Sequence, residues 1–184
     1  MPLKVKERFV LLDRDGVINR DSEAFIKSPD EWQPIPGSLE AIALLNKYDY
    51  KVAVITNQSG LARGLFDTET LATIHDKMLI LTSAKGGDIT DIYYCPHGPD
   101  DNCECRKPKP GLLQQFSQDH KIDLVGVFCI GDSFRDLQAA WSVGANPLLV
   151  KTGKGQKTLE ENPNLNAPVF ADLYAASQFI ISQS

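Results

Sequence analysis

FVLLDRDGVIN, residues 9–19, decides the architecture: a short apolar run ends in Asp13, and Asp15 and Gly16 follow at once. Consecutive apolar residues closed by a carboxylate fit a strand buried on both faces, as in a parallel sheet. KVAVIT at 51–56 and VFCIG at 127–131 repeat the pattern, and DIYYC at 91–95 and PLLV at 147–150 are further strand candidates. Helices are expected between them. The first opens at Pro36-Gly37-Ser38 with Leu39, Ile42 and Leu45 on one face, and the second runs from near Asp67 to Ala84. A third follows Pro110-Gly111, a fourth carries Leu137, Ala140 and Trp141 at i, i+3, i+4 with Gly144 at its stop, and a closing helix spans Asp172 to Ile181. This alternation predicts an α/β fold with a doubly wound parallel sheet, in which ligands sit at the carboxyl ends of the strands.

With 184 residues and 42% hydrophobic content the chain can bury one substantial core, so a single domain is expected over 1–184. A net charge of -5 argues against nucleic acid as the main ligand. An anionic substrate must then meet a local cationic site. The start, MPLKVKERFVLLD, has too short an apolar run for a signal peptide, and no segment approaches the about 18–20 apolar residues of a membrane span. The expectation is a cytoplasmic protein with no membrane partner.

Asp13 and Asp15 stand two apart in an extended segment, which points both side chains the same way, and Gly16 allows a tight turn and a close ligand. Alone, Asp-Arg-Asp-Gly is equally a solvated turn. Its company changes that reading. The second strand ends in Thr56-Asn57-Gln58-Ser59-Gly60, a run suited to an anion. Arg106-Lys107-Pro108-Lys109-Pro110-Gly111 concentrates positive charge before a helix, and another strand ends in Gly131-Asp132-Ser133 with Asp136 four positions beyond Asp132.

Between them lies CPHGPDDNCECRKP, residues 95–108, where Cys95, His97, Cys103 and Cys105 offer four soft or borderline ligands within eleven residues. That donor set fits a closed tetrahedral Zn²⁺ site, although the spacing is not the commoner Cys-x-x-Cys. A redox role for the thiols is the alternative. Ordinary core cysteines do not explain a segment with so little apolar material to pack. Zinc here would stiffen the loop at 95–105 that leads into Arg106 and Lys107. Cys129, inside an apolar strand, reads as a core residue.

With these stretches in this order the chain resembles the haloacid dehalogenase superfamily of phosphohydrolases, whose motifs match DRDGV (13–17), TNQS (56–59), the lysine of RKPKPG (106–111) and GDSFRD (131–136). The resemblance implies strand order 5-4-1-2-3 and a covalent mechanism. Asp13 would attack phosphorus, Asp15 would protonate the leaving alcohol and then activate water, and Thr56 and Lys107 would hold the phosphoryl oxygens. Mg²⁺ would be held by the carboxylates of Asp13 and Asp132 and the carbonyls of Asp15 and Ser133. For Asp15 to act as the acid, its pKa is expected to be raised by Asp13 or by burial. There is no long insertion for a large cap domain, so specificity falls to the loops at 19–35 and 59–66 and to the cysteine loop. Small size and the capless plan lean towards a monomer.

Within the superfamily, the Cys–His loop is similar to that of a subgroup holding the heptose 1,7-bisphosphate 7-phosphatases and the histidinol-phosphate phosphatases. TNQSGLARGLF (56–66) and RKPKPGLL resemble the heptose enzymes more closely. That implies a small sugar bisphosphate substrate, with Asp21, Ser22, Glu23 and Ala24, with Asn57, Gln58 and Ser59, and with Arg106 near it. Arg106 suits the phosphate that is not cleaved, because a guanidinium binds phosphate bidentately. Val17 stands where many members have threonine. The alternatives weighed are histidinol phosphate as substrate, a nucleic-acid end phosphatase, and a non-enzymatic zinc module.

Overall fold

The structure, a computed structural model, describes residues 7–184; the first six residues, on which part of the export reading rests, lie outside it. The apolar runs form β1 (Arg8–Leu12), β2 (Tyr50–Asn57), β3 (Asp91–Cys95), β4 (Phe128–Gly131) and β5 (Asn146–Val150), followed by a two-residue β6 (Val169–Phe170). All pair in parallel in the order β3-β2-β1-β4-β5-β6. Read from β5 to β3 this is the implied 5-4-1-2-3 order, with β6 added at the β5 edge.

Alternation along β1 explains the two layers. Val10 and Leu12 join Val52 and Val54 of β2 in a core closed by α1 (Ser38–Lys47), α2 (Thr68–Ala84) and α6 (Leu173–Ser182). Phe9 and Leu11 join Ala53 and Ile55 in a second core under α3 (Gly111–His120) and α4 (Phe134–Ser142). Successive side chains on a strand point to opposite faces, so an unbroken apolar run serves both. Helix starts follow capping chemistry: Asp67 accepts from Thr70 N at 2.8 Å and Asp172 from Ala175 N at 2.9 Å.

Central β1 has β2 on one side and β4 on the other, and Asp13 N extends the β4 pairing by donating to Ile130 O at 2.9 Å. The chain winds from β1 outward to one edge of the sheet and then, from β4, to the other, and this reversal of strand order beside Asp13 opens a crevice there. The sequence reading needs three amendments. The segment α5 (Gly155–Glu161) and β6 were not expected, because seven polar-rich residues and two strand residues carry no legible period. The turn at Pro29–Glu31 is a short 3-10 helix. Trp141 does not share the buried face of Leu137 and Ala140; it is 38% exposed and packs edge-on to Phe134 at 6.0 Å.

Phe116 is fully buried, with its ring edge-on to Phe9 at 5.0 Å and to Tyr93 at 5.7 Å. Phe116→Ala leaves a cavity that β1 and β3 cannot fill by moving, and unfolding in urea should show a loss of about 3–5 kcal/mol. A loss under about 1 kcal/mol would show that the layer collapses around the gap.

Candidate active site

Asp13, Asp15, Asp132, Asp136 and Lys107 line one cleft above the carboxyl ends of β1 and β4. The cleft is also lined by Asp21, Ser22, Glu23, Asn57, Gln58, Ser59 and Arg106, and its empty volume is about 730 Å³ including the open mouth. Of the residues expected to contact substrate, Ala24 and Thr56 are not in this lining; Phe25 and Ile26 of the same loop are.

Lys107 is buried; its ammonium donates to Ile55 O at 2.8 Å and forms ion pairs with Asp13 Oδ1 at 3.1 Å and Asp136 Oδ1 at 2.8 Å. Burial disfavours its charge, but the two carboxylates outweigh that and raise its pKa. Asn57 fixes the lysine backbone from both sides, donating to Lys107 O at 3.2 Å and accepting from Lys107 N at 3.1 Å. Asp136, unassigned beyond its place in the motif, is the other anchor: its Oδ2 accepts from Asp132 N, Ser133 N and Ser133 Oγ at 3.2, 3.0 and 2.8 Å. The Ser133 carbonyl accepts from the amides of Asp136 and Leu137, so it runs into the first turn of α4. That is a poor orientation for the metal-binding role carried over to it.

The two members of the carboxylate pair sit in different surroundings. Asp13 is pushed up to about 6, by burial first, with Asp136 and Asp15 adding to it against Lys107. Its hydrogen bond from Arg14 N (2.8 Å) and its ion pair with Lys107 both fall on Oδ1, which leaves Oδ2 for a ligand. For Asp15 burial also acts upwards, but Arg14 and hydrogen bonds from Asn19 and Gln58 win, and the carboxyl is held below its ordinary range. The raised pKa expected of Asp15 is therefore not found. The sequence missed the cause, Arg14, whose charge looked solvated but which is completely buried.

Asp15 Oδ1 accepts from Arg14 Nε at 3.0 Å and Asn19 Nδ2 at 2.8 Å, and Oδ2 from Arg14 Nη2 at 3.1 Å and Gln58 Nε2 at 3.0 Å. The Gln58 amide also donates to Thr56 Oγ1 at 3.0 Å and accepts from Arg14 at 3.2 Å. Two of the four TNQS side chains named as ligand contacts are thus committed to the protein: Gln58 holds Asp15, and Thr56 holds Gln58.

Asp132 is buried and pushed up to about 8, chiefly by burial and then by Asp13 and Asp136. Its Oδ2 accepts from Lys154 N at 2.8 Å, and its carbonyl accepts from Thr158 Oγ1 at 2.9 Å, so the unexpected α5 segment supports it. Gly16 and Gly153 let two backbones crowd this carboxylate. A Cβ on Gly16 would stand 2.0 Å from Asp132 Oδ2, and both glycines have positive φ. Ligand oxygens of Asp13, Asp132 and Asp136 lie within 4.8 Å of one another. Hard carboxylate donors gathered so closely suit a divalent cation such as Mg²⁺.

Cys95, His97, Cys103 and Cys105 also bring their donor atoms within 4.8 Å of one another, and none is in a disulfide. The Cys95–Cys103 and Cys95–His97 separations of 3.7 and 3.6 Å match the edge of about 3.8 Å that Zn–S bonds of about 2.3 Å impose on a tetrahedron. Cys105 lies closer, 2.9 Å from Cys95 and 3.2 Å from His97. The loop touches the cleft directly, because Arg106 Nη1 donates to His97 O at 3.3 Å. Burial, then the nearby Arg135, pulls the Arg106 guanidinium below its usual value. Arg135 and Lys154 share the cleft and went unremarked in the sequence.

The family model described as "HAD-hyrolase-like" matches residues 104–176. The D-glycero-beta-D-manno-heptose-1,7-bisphosphate 7-phosphatase of Pseudomonas putida is 51% identical over 174 residues, covering 95% of this chain and 99% of its own. The enzyme of that name from Bordetella bronchiseptica is 56% identical over 154 residues, covering 84% of this chain and 86% of its own. A crystal structure of D,D-heptose 1,7-bisphosphate phosphatase from B. bronchiseptica, complexed with magnesium and phosphate, superposes with a TM-score of 0.93 at 51% identity, covering 96% of this chain and 99% of the other.

The raised carboxylates fix a sign for stability. Asp132 and Asp13 bind protons more tightly folded than unfolded, so this pair contributes less stability to the metal-free fold as pH rises from about 4, the unfolded carboxylate value, towards 8, while the depressed pKa of His75 acts in the opposite sense below about 6.5. Mg²⁺ binds the ionised forms and offsets that loss. The rise in melting temperature on adding Mg²⁺ should therefore grow between pH 5 and pH 8.5 (about those limits), and an increment independent of pH would contradict the burial assigned to these groups.

Proposed function

Because this chain belongs to the haloacid dehalogenase-like phosphatases, among the D-glycero-beta-D-manno-heptose-1,7-bisphosphate 7-phosphatases, we propose that its cleft removes the 7-phosphate of that sugar bisphosphate through an aspartyl-phosphate. The observation that carries the reading is the meeting of Asp13, Asp15, Lys107 and Asp132 in one cleft that also holds Arg106 and Arg135. Asp15 takes up a proton from solvent as the phosphate dianion binds beside it. Asp13 Oδ2 then attacks phosphorus, the bond from phosphorus to the sugar oxygen breaks, and that oxygen takes the proton from Asp15. Water then gives a proton to Asp15 and its oxygen to phosphorus, which releases phosphate and restores Asp13. Lys107, held on Oδ1, withdraws charge from the nucleophile's second oxygen and neutralises the incoming dianion.

Asp13, Asp132 and the Asp15 carbonyl are suited to hold Mg²⁺, which when bound screens the phosphate dianion from the carboxylates around it. The phosphate that stays on the sugar is assigned to Arg106 and Arg135, two like charges that an anion between them would relieve. Asp21, Ser22, Glu23 and Ser59 are left to read sugar hydroxyls. Structural Zn²⁺ on Cys95, His97, Cys103 and Cys105 would hold the His97 carbonyl that Arg106 grips. The relatives named above bear the heptose name, which favours the sugar bisphosphate over histidinol phosphate.

Release of phosphate from D-glycero-beta-D-manno-heptose 1,7-bisphosphate, with the 1-phosphate retained by NMR, tests the reading against histidinol phosphate under the same Mg²⁺. Faster turnover of histidinol phosphate would overturn it. Asp13→Asn should fold and show no turnover. Arg106→Ala should raise KM for the bisphosphate by about 10–100-fold, the range for a lost charge-assisted contact of about 1.5–3 kcal/mol, and leave kcat nearer wild type. Metal analysis should find one zinc per chain, lost in Cys103→Ser; zinc-free protein with unchanged KM would remove zinc from the account.

A further inference from the structure

His75 stands on the buried stripe of α2 with Leu71, Ile74, Met78 and Thr82, where an apolar side chain would pack equally well. Instead its Nε2 lies 3.1 Å from Arg14 Nη1. We propose that His75 is a positioning residue for catalysis: it fixes the buried Arg14 guanidinium, which in turn aims the Asp15 carboxylate at the reacting oxygen. The proposal rests on the acid–base role given to Asp15 above.

The donor count supports it. A guanidinium has five N–H groups, cannot accept, and at zero exposure cannot turn to water. Nε and Nη2 are spent on Asp15, Nη2 also on Gln58, and among the described residues Nη1 finds its side-chain partner in His75. Since arginine only donates, His75 Nε2 must be the bare nitrogen and the proton must sit on Nδ1. Burial, then the adjacent Arg14 charge, pushes the His75 pKa down to about 4, which agrees with a neutral ring. Without that acceptor the guanidinium is held by Asp15 and Gln58 along its Nε–Nη2 edge alone, and its Nη1 end can pivot about that edge. Asp15 is bonded twice by Arg14, so a pivot moves the carboxylate.

Three measurements test this. In wild-type protein without substrate, long-range ¹H–¹⁵N NMR should show His75 neutral with Nε2 unprotonated; an Nε2–H tautomer or a charged ring would overturn the contact, whatever the substrate turns out to be. His75→Leu should lower kcat on the order of 10²-fold, the loss expected of a misplacement near 1 Å, with KM changed by less than about threefold. His75→Gln offers an amide oxygen to the same donor and should recover most of kcat. If His75→Leu folds and keeps wild-type kcat, or if His75→Gln folds and is as slow as His75→Leu, the positioning role is wrong. Should His75→Leu not fold, His75→Gln with wild-type kcat supports the role and a hundredfold loss refutes it. A wild-type protein inactive on every phosphate ester would instead remove the phosphatase reading and leave the NMR result to stand alone.

Discussion

The Lys107 ammonium, 2.8 Å from Ile55 O and Asp136 Oδ1 and 3.1 Å from Asp13 Oδ1, is the contact on which the rest of the cleft depends. One side chain from the loop before α3 ties the end of β2, the residue after β1 and the first turn of α4. A lone buried ammonium is prohibitively costly, and so are buried carboxylates without a cation; each is tolerable only because the others are present. That mutual need explains the use of Asn57 to clamp the lysine backbone and of a serine N-cap to steady Asp136. Removing any one partner leaves an uncompensated charge at the largely buried floor of the cleft.

Asp13 and Asp15 share a turn yet are pushed in opposite directions, and that difference divides the labour between them. Asp13, raised to about 6 by burial and neighbouring carboxylates, is an anion short of cations; metal binding supplies what it lacks. Asp15, with four hydrogen bonds, rests as a carboxylate. A resting carboxylate suits the hydrolytic half of the reaction, in which it takes a proton from water. Its turn as an acid needs a shift that the metal-free site does not provide. A phosphate dianion arriving beside it supplies that shift by like-charge repulsion.

Five strands, four helices and the closing helix were legible because buried parallel strands read as apolar runs and their ends fell on charged motifs; the strand order came only from the resemblance to a known family. The cleft was legible to the same depth: Asp13, Asp15, Lys107 and Asp132 were chosen by residue type and strand-end position, and the fold brings them together. What sequence could not show is which way a polar side chain turns once buried. Arg14 between two aspartates looks like a solvated charge, Thr56 and Gln58 look like ligand donors, and Ala24 looks no different from Phe25. Direction follows from partners distant in sequence, such as His75 at 61 positions from Arg14. Lys154 and Thr158 escaped notice because their work is done by a backbone amide and by a hydroxyl on a seven-residue helix.

Charge is organised locally against the overall balance of -5. The acidic groups are concentrated where a divalent cation belongs, and Lys107, Arg106, Arg135 and Lys154 share the same lining. For a substrate with two phosphates this arrangement offers two anion-binding groups, to be spanned by a sugar ring that carries one phosphate and a short flexible arm that carries the other. A monophosphate can fill either site but cannot be drawn into the reactive one by binding energy from the other. Without a cap to close over the ligand, energy from the distal phosphate is the main source available for holding the scissile phosphate in line, and that energy raises the rate only if the two sites are held at a fixed spacing. On the function proposed above, the loop from Cys95 to Arg106 would bear on the chemistry, because the Arg106 guanidinium donates to the His97 carbonyl within it.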